Sequence, residues 1–527
     1  MAEKKGRGGV GRVSRRRFLK SATTGAAGAG LAFSAPRIVS AATLGVDTLN
    51  VGIIGAGNQA YVLTIVNCVK IPGVQMRAVC DIWPRRRIRI ARALKEYEQQ
   101  ANEYVDYREM LSAETDLDAV IVATPDWVHA EHTVACLEAG RHVYCEKEMS
   151  NDLGKARQMV QAARRTGKLL QIGHQRRSNP RYHRALEYVE ALRAVGRITH
   201  VRGQWNRDHP LWTEPPKGMR PDDEVLGEYG YDTIDRLANW RWYRKFSGGA
   251  IADLGSHQID VFHWFLHALP KSVAAFGGSD NYQFAFKPHT SNDIEEWQEW
   301  RIASRDIEWY DNILAVYQWD YTLAGRTTTV LGHYQICSTT SHGWFSEAFI
   351  GTEGSLVISE SAGKGGIRRE HHVPMMQWER DIGQAVRNRY AKLPDLENEV
   401  VAQKTQIEAQ RKEIEKLKAR LAATSRPTAP ETRPAGSDEE KKAEEDEVKI
   451  GHTVPDPGRY YPPIPPAWPA KTEHMPHLEN FFGAIRGTCE LNCPAEVGYE
   501  TAVSVLRAND ALEAGRPIEL RAEDYKV

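Results

Sequence analysis

The sequence predicts an α/β fold in two lobes: a doubly wound parallel sheet first, then an α/β domain with an open antiparallel sheet. Three observations predict it. An apolar run, Leu49-Asn-Val-Gly-Ile-Ile54, breaks at Gly55-x-Gly57-x-x-Ala60 and gives way to a helical pattern through Val62, Ile65, Val66 and Val69. Short apolar runs then alternate with helical stretches of about 10–15 residues as far as Ile172. Beyond Ile198 strands follow one another with little helix between them, which suits an antiparallel sheet with helices against it.

Taken in order, the first strand ends in a turn that only small residues permit. Gly55 allows the tight turn, Gly57 lets backbone approach a pyrophosphate, and Ala60 lets the helix pack closely on the sheet. A helix N-terminus there would offer N–H groups and a positive dipole end to phosphates. The second strand, Val74–Cys80, ends at Asp81, where a carboxylate would hold the adenosine ribose hydroxyls. A basic helix (85–99) follows. The strand Ala119–Ala123 ends in Thr124-Pro125, and a helix (129–139) leads to the strand His142–Cys145. A helix (152–165) and the strand Leu169–Ile172 complete this domain, residues 48–172.

The second domain is placed at 173–390. Strands are expected at Ile198, Asn312–Trp319, Thr327–Cys337 and Leu356–Ser359, with a helix over Ser256–Leu266. Residues 391–450 look like an insertion. Leu393, Val400, Ile407, Ile414 and Leu421 recur every seven residues, with Leu396 and Leu417 as companions and Gln403 and Gln410 as flaws in the seam. About four heptads would form a coiled coil between subunits or one helix packed on its own domain. Pro427–Glu447, rich in Pro, Ala and charge, is expected to be disordered. Residues 451–527 return through a proline-rich stretch to helices over His477–Ile485 and Ala495–Ala514, expected to complete the second domain.

Composition narrows the function classes. Lys plus Arg and Asp plus Glu number 69 each among 527 residues, so the charge balance points to no nucleic-acid partner. Seven Cys without C-x-x-C spacing argue against a zinc site or disulfide framework, and no metal is expected. Fourteen Trp and 20 Tyr are many, and several fall between Trp205 and Trp264, to line a sugar pocket or fill a core. The N-terminus reads Ser14-Arg15-Arg16-Arg17-Phe18-Leu19-Lys20, then an Ala/Gly-rich stretch and Val39-Ser40-Ala41. Residues 1–42 are similar to a twin-arginine export signal, and the apolar part is too short for a stable membrane span. A periplasmic or extracytoplasmic location follows. An exported catalyst would hold its cofactor across turnovers.

Two short stretches carry chemistry. Glu146-Lys147-Glu148 stands at the carboxyl end of a parallel strand, the ligand-binding edge of such sheets. In Ser247-Gly248-Gly249-Ala-Ile-Ala-Asp253-Leu-Gly255-Ser-His257-Gln-Ile-Asp260, a helix would put Asp253, His257 and Asp260 on one face. An imidazole flanked by carboxylates is poised to take a hydroxyl proton. Lys147 would hydrogen-bond the same hydroxyl, lose a proton beside a cationic ring, or position a sugar.

Gly55-x-Gly57-x-x-Ala60, Asp81, Ala123-Thr124-Pro125, Glu146-Lys147, Gly173-His-Gln-Arg-Arg177 and Gly248-Gly249-x-x-x-Asp253-x-Gly255-x-His257 together resemble the Gfo/Idh/MocA oxidoreductases, the glucose–fructose oxidoreductase and inositol dehydrogenase group. The resemblance covers about residues 48–390 and, more weakly, 450–515. It implies a Rossmann domain binding NAD through Gly55, Gly57, Asn58, Ala60, Asp81, Thr124, Pro125, Glu146 and Lys147. It maps the family's lysine, aspartate and histidine onto Lys147, Asp253 and His257, and implies sugar or cyclitol substrates and a dimer or tetramer. Arg177, Trp240 and Tyr243 are substrate-contact candidates, while Arg176 and Arg177 would otherwise bridge the two lobes. Asp81 favours NAD; Arg85, Arg86 and Arg87 keep NADP as the alternative. Glu148 stands where the family has proline, which removes a backbone constraint and offers Lys147 a carboxylate partner. The reading is an exported NAD(P)-dependent oxidoreductase acting on a sugar or cyclitol hydroxyl. A redox-neutral glycosidase working by transient oxidation and elimination is the alternative, and a non-catalytic cofactor-binding scaffold the third.

Overall fold

Parallel strands need helices on both faces, and the apolar runs of the first lobe are long enough to be buried on both. In the computed structural model β1 (Leu49–Ile54), β2 (Val74–Cys80), β3 (Asn102–Tyr104), β4 (Ala119–Val122), β5 (His142–Cys145) and β6 (Leu170–Ile172) form one parallel sheet in the order β3-β2-β1-β4-β5-β6. All four residues of β4 are buried, as a strand covered on both faces requires. The order reverses between β1 and β4, where the crevice of a doubly wound sheet opens. The structure describes residues 47–207, 213, 215–279, 284–286, 299–301, 307–361, 364–390, 459–461 and 473–527. The export signal, the heptads at 393–421 and the stretch Pro427–Glu447 lie outside the described residues.

The covering helices start and stop as their sequence dictates. Asp152 caps the helix Leu153–Thr166 by accepting the Lys155 N–H at 2.8 Å, and Gly167 ends it with a left-handed φ of 67°. The helix after the glycine turn departs from expectation. It is α-helical only over Asn58–Tyr61, widens to a π turn over Val62–Asn67 and tightens over Cys68–Lys70. Here the Thr64 hydroxyl donates to the Ala60 carbonyl and the Asn67 amide to the Val62 carbonyl, both at 2.7 Å, competing with the backbone ladder.

The second lobe is a nine-stranded sheet: β7 (Ile198–Asn206), β8 (Pro270–Gly278), β11 (Asn312–Leu323), β12 (Arg326–Cys337), β13 (Phe345–Gly351), β14 (Gly354–Ile358), β15 (Gly365–Arg369), β16 (Arg459–Tyr461) and β17 (Ile518–Glu519). Between β8 and β11, β9 (Phe284–Phe286) pairs separately with β10 (Glu299–Arg301). The large sheet is mixed rather than purely antiparallel, because β7 and β12 run parallel at its centre. Burial alternates strictly along β11, the mark of a sheet with one covered face. Ile259, Phe262 and Phe265 of the helix Ser256–Leu266 cover that face. The open face carries Phe276, Leu314, Val316, Leu331 and Val357, all exposed. β16 brings the chain back beside β15, where Arg459 and the Tyr461 hydroxyl reach Glu379 at 3.0 and 2.8 Å.

The C-terminal helices differ from expectation. Met475–Ile485 belongs to the first lobe, where Leu478, Phe481 and Phe482 join the core beneath β1 and β2. Ala495–Ala514 serves both lobes. Its Tyr499, Ala502 and Val503 enter the first lobe's core, while Val505, Leu506, Ala508 and Ala511 enter the second's. All seven cysteines are free thiols, and among the described residues no helix is long and apolar enough to cross a membrane.

Candidate active site

A cleft of about 1140 Å³ opens at the carboxyl ends of β1, β4 and β5 and runs to the second lobe. Gly55 has φ +87°, and a Cβ there would sit 2.7 Å from the Ala123 carbonyl, so the turn closes only with glycine. In front of Gly57 a Cβ would meet nothing nearer than Arg86 Nη1 at 4.0 Å, which leaves the close approach that a pyrophosphate needs. This cradle fits a dinucleotide. Gly55, Gly57, Asn58, Asp81, Thr124, Pro125, Glu146 and Lys147 all line the cleft. Ala60 does not; it is buried, and its role is packing the helix onto the sheet.

At the end of the cleft beside β2, the Asp81 carboxylate accepts the N–H of Ala56 at 2.6 Å and of Trp83 at 2.7 Å. Arg85 and Arg86 line the cleft, whereas Arg87 turns away to donate to the Asp81 carbonyl. At the other end, Glu146 accepts from Gln59 Nε2 at 3.1 Å. Gly173 is required behind it, since a Cβ there would lie 2.9 Å from Glu146 Oε2. Thr124 is held by two histidines: its carbonyl meets His129 Nε2 at 2.7 Å and its hydroxyl His132 Nδ1 at 3.1 Å.

Lys147, Asp253 and His257 share the cleft wall, but their pairing is not the expected one. Lys147 donates to the Asp253 carbonyl and lies 3.3 Å from its Oδ1, and Arg241 Nε lies 3.2 Å from Oδ2. Burial works against the charge on Asp253, yet Lys147, Arg241 and Arg207 outweigh it and hold the carboxyl well below the usual carboxylate range. Asp253 therefore does not orient His257 through a hydrogen bond. The segment Ile251–Gly255 is a π turn, whose wider spacing changes the angle between the two side chains from that of an α-helix. Asp260 is spent elsewhere, on Arg177 Nε at 2.8 Å and the Thr501 hydroxyl at 3.2 Å.

His257 packs against Trp205 at 5.7 Å, with His174 at 6.4 Å. Burial first, and then Lys147, Arg176 and His174, push its pKa well below the ordinary histidine value. The ring is neutral at pH 7. Its Nδ1 is buried with no hydrogen-bond partner among the described residues.

Two substrate candidates are corrected. Arg177 lies outside the cleft, tied to Asp260, and Arg176 is buried between Glu347 and Glu360, so both arginines bridge elements. Tyr243 packs with Trp83, Leu226, Tyr231, Leu237, Trp242 and Phe246 in a small aromatic core. The short helix Trp240–Trp242 turns Trp240 and Arg241 to the cleft and Trp242 inward. The aromatic-rich stretch is thus mostly core, with Trp205, Tyr229, Tyr231 and Trp240 reaching the cleft. The residues that sequence reasoning passed over are Asp126 and Arg207. Each stands at or just past the end of a strand, which was the available signal. Asp126 lines the cleft with its pKa raised to about 7, by burial first and then by Asp253.

Glu148 does not pair with Lys147. Its side chain is fully buried, Oε1 accepts the Met149 N–H at 2.7 Å, and Oε2 has no partner among the described residues. Burial, with Asp126 adding to it, raises its pKa to about 8. A carboxyl that holds its proton more tightly when folded loses stability as pH rises from about 4 through 8, by at most about 4–5 kcal/mol. Glu148→Gln is therefore expected to raise the unfolding temperature at pH 9 and leave it unchanged at pH 5. An equal difference at both pH values would refute this.

Comparison with known proteins agrees with the geometry. The model described as "Oxidoreductase family, NAD-binding Rossmann fold" matches residues 49–174, and the "GFO/IDH/MocA C-terminal domain" matches residues 183–357. Inositol 2-dehydrogenase of Salmonella typhimurium is 26% identical over 232 residues, which is 44% of this chain and 58% of that protein. The 1,5-anhydro-D-fructose reductase of Ensifer adhaerens is 32% identical over 172 residues, 32% of this chain and 44% of that one. The match thus spans about half the length of these curated relatives. In fold it resembles levoglucosan dehydrogenase in complex with NADH (TM-score 0.55, 16% identity, 90% of this chain and 100% of that one). It likewise resembles the aldose-aldose oxidoreductase of Caulobacter crescentus complexed with glycerol (TM-score 0.55, 15% identity, 90% and 100%). The glycine cradle, the Lys147–Asp253 pair and the two matched domains lead to one conclusion: the chain belongs to the Gfo/Idh/MocA oxidoreductase family.

Proposed function

We propose that the protein is an exported oxidoreductase that moves hydride between a tightly held NAD and a hydroxyl of a sugar or cyclitol. One observation carries the reading. Lys147, Asp253 and His257 line the same cleft as the Gly55–Gly57 turn. Bound on that turn, NAD would supply the hydride acceptor or donor. Gly55 and Gly57 would hold its pyrophosphate, and Asp81 would accept from the hydroxyls of its adenosine ribose. Neutral His257 takes the hydroxyl proton. Lys147, fixed by Asp253, donates a hydrogen bond to the same oxygen. Trp240 offers an apolar face to the ring of the substrate.

Export rests on the twin-arginine pattern at Ser14–Lys20. We further propose a homo-oligomer built on the open sheet face, where Phe276, Leu314, Val316, Leu331 and Val357 form an apolar surface. One preparation tests these points. The protein is recovered from the periplasmic fraction, sedimented to read its mass, then denatured to release nucleotide. Neutral sugars, cyclitols and nitrophenyl glycosides are offered to the native sample. NADH absorbance growing with a free sugar or cyclitol is the expected result. Nitrophenol release without added nucleotide would replace this reading by the redox-neutral glycosidase, and bound nucleotide with neither signal by the scaffold.

A further inference from the structure

Beyond the reacting hydroxyl, the same cleft holds an arginine whose side chain no described residue ties down by a hydrogen bond or an ion pair, although its charge acts on Asp253. Arg207 follows β7, half-buried, with its guanidinium 5.2 Å from the Trp205 ring centroid. Among the described residues that guanidinium makes no hydrogen bond and no ion pair. Trp205 is itself fixed, stacked on Phe345 at 4.7 Å and tilted against His257 at 5.7 Å. Arg207 is thus held on an aromatic stack that also touches the proposed proton acceptor. Its neighbour Arg241 commits Nε to Asp253 and lies over Trp240 at 4.4 Å. Where the two lobes meet, Lys147, Arg241 and Arg207 all act on the carboxylate of Asp253, and Glu146 lines the same cleft beside Lys147. Across the cleft, Glu360 is already committed to Arg176 and Gln175, with Glu473 beside it.

We infer that the substrate is an acidic sugar whose carboxylate is held by Arg207, with Arg241 beside it. A half-buried guanidinium with its N–H groups unbonded among the described residues is costly, and a ligand carboxylate supplies acceptors in the planar geometry that arginine matches bidentately. Both arginines line the main cleft together with Lys147 and His257, so one ligand can present a carboxylate to the arginines and a ring hydroxyl to Lys147 and His257. This inference rests on the reading that those two residues mark the reacting hydroxyl.

The test uses the full chain with its nucleotide bound. Kd values for D-glucuronate, D-galacturonate, D-glucose, D-galactose and D-glucose 6-phosphate are read from tryptophan fluorescence at low salt, with cofactor reduction followed separately. At least one acid is expected to bind about tenfold more tightly than its neutral counterpart. Arg207→Gln should cut that ratio to about twofold, and Arg207→Lys, which keeps the charge but not the fork, to an intermediate value. Should Arg207→Gln fail to fold, the lysine variant alone decides, since its ratio must still fall. The proposal is overturned if no acid binds more tightly than its neutral counterpart, if the ratio survives loss of the guanidinium, or if the phosphate binds more tightly than both acids. Acid preference in binding with no cofactor reduction by any sugar would sink the hydride-transfer reading and leave this one standing. Reduction by neutral sugars with no acid preference would do the reverse.

Discussion

His257→Ala is expected to lower turnover by about 10²–10⁴-fold while leaving the nucleotide bound. The size follows from the ring's position. Asp253 is held ionised by Lys147 and Arg241 and Lys147 is engaged on Asp253, so neutral His257 is the group in this cluster left to take a proton. Nucleotide retention follows because the cradle is built from Gly55, Gly57 and the Thr124 loop, none of which touches the ring. Since burial and nearby cations keep His257 neutral far below its ordinary pKa, kcat/KM for alcohol oxidation should show no histidine inflection near pH 6.5. Nucleotide released on denaturation and initial rates across pH check this. Joint loss of nucleotide and activity in the alanine variant would make the histidine structural.

Arg176→Met should destabilise the fold by about 3–5 kcal/mol, the usual cost of removing one partner from a buried ion pair. Arg176 is buried at 1% exposure, pairs with Glu347 and Glu360, and lies 5.7 Å from the rings of Tyr182, Trp205 and Phe345. Even beside this arginine, burial lifts Glu347 to about 7. Without it the carboxyl would hold its proton still more firmly, so the deficit should shrink as pH falls. Denaturant unfolding at pH 5 and pH 8 measures both. A loss under about 1 kcal/mol at pH 8 would show that the arginine is replaceable filler. The same substitution should also loosen Trp205, and with it the wall behind His257.

What the sequence revealed and what it hid divide along the distance between interacting residues. The turn at Gly55–Gly57, the run of parallel strands and the helix Ser256–Leu266 depend on neighbours in the chain, and periodicity sufficed. The amphipathic patterns of Met475–Ile485 and Ala495–Ala514 were equally plain, but a pattern says that a face is buried, not against what. The partner of Asp253 was missed for the same reason: Lys147 reaches it from the other lobe, while the spacing to His257 invited a local pairing. Arg177 and Tyr243 stood in the right segments, yet one turn of backbone decides whether a side chain enters the cleft or the core. The short 3₁₀ turn at Trp240 gave the cleft to Trp240 and Arg241 instead. Glu148 was recognisable as an unusual residue, but its complete burial was not.

The helix Ala495–Ala514 has a consequence for motion. It lies so close to β6 that a Cβ on Gly498 would sit 2.5 Å from Ile172, and Asn509 near its other end donates to the Gly248 carbonyl at 2.6 Å. A rod clamped in both halves makes it costly for them to swing like jaws, because any large rotation would tear one of the two seams it fills.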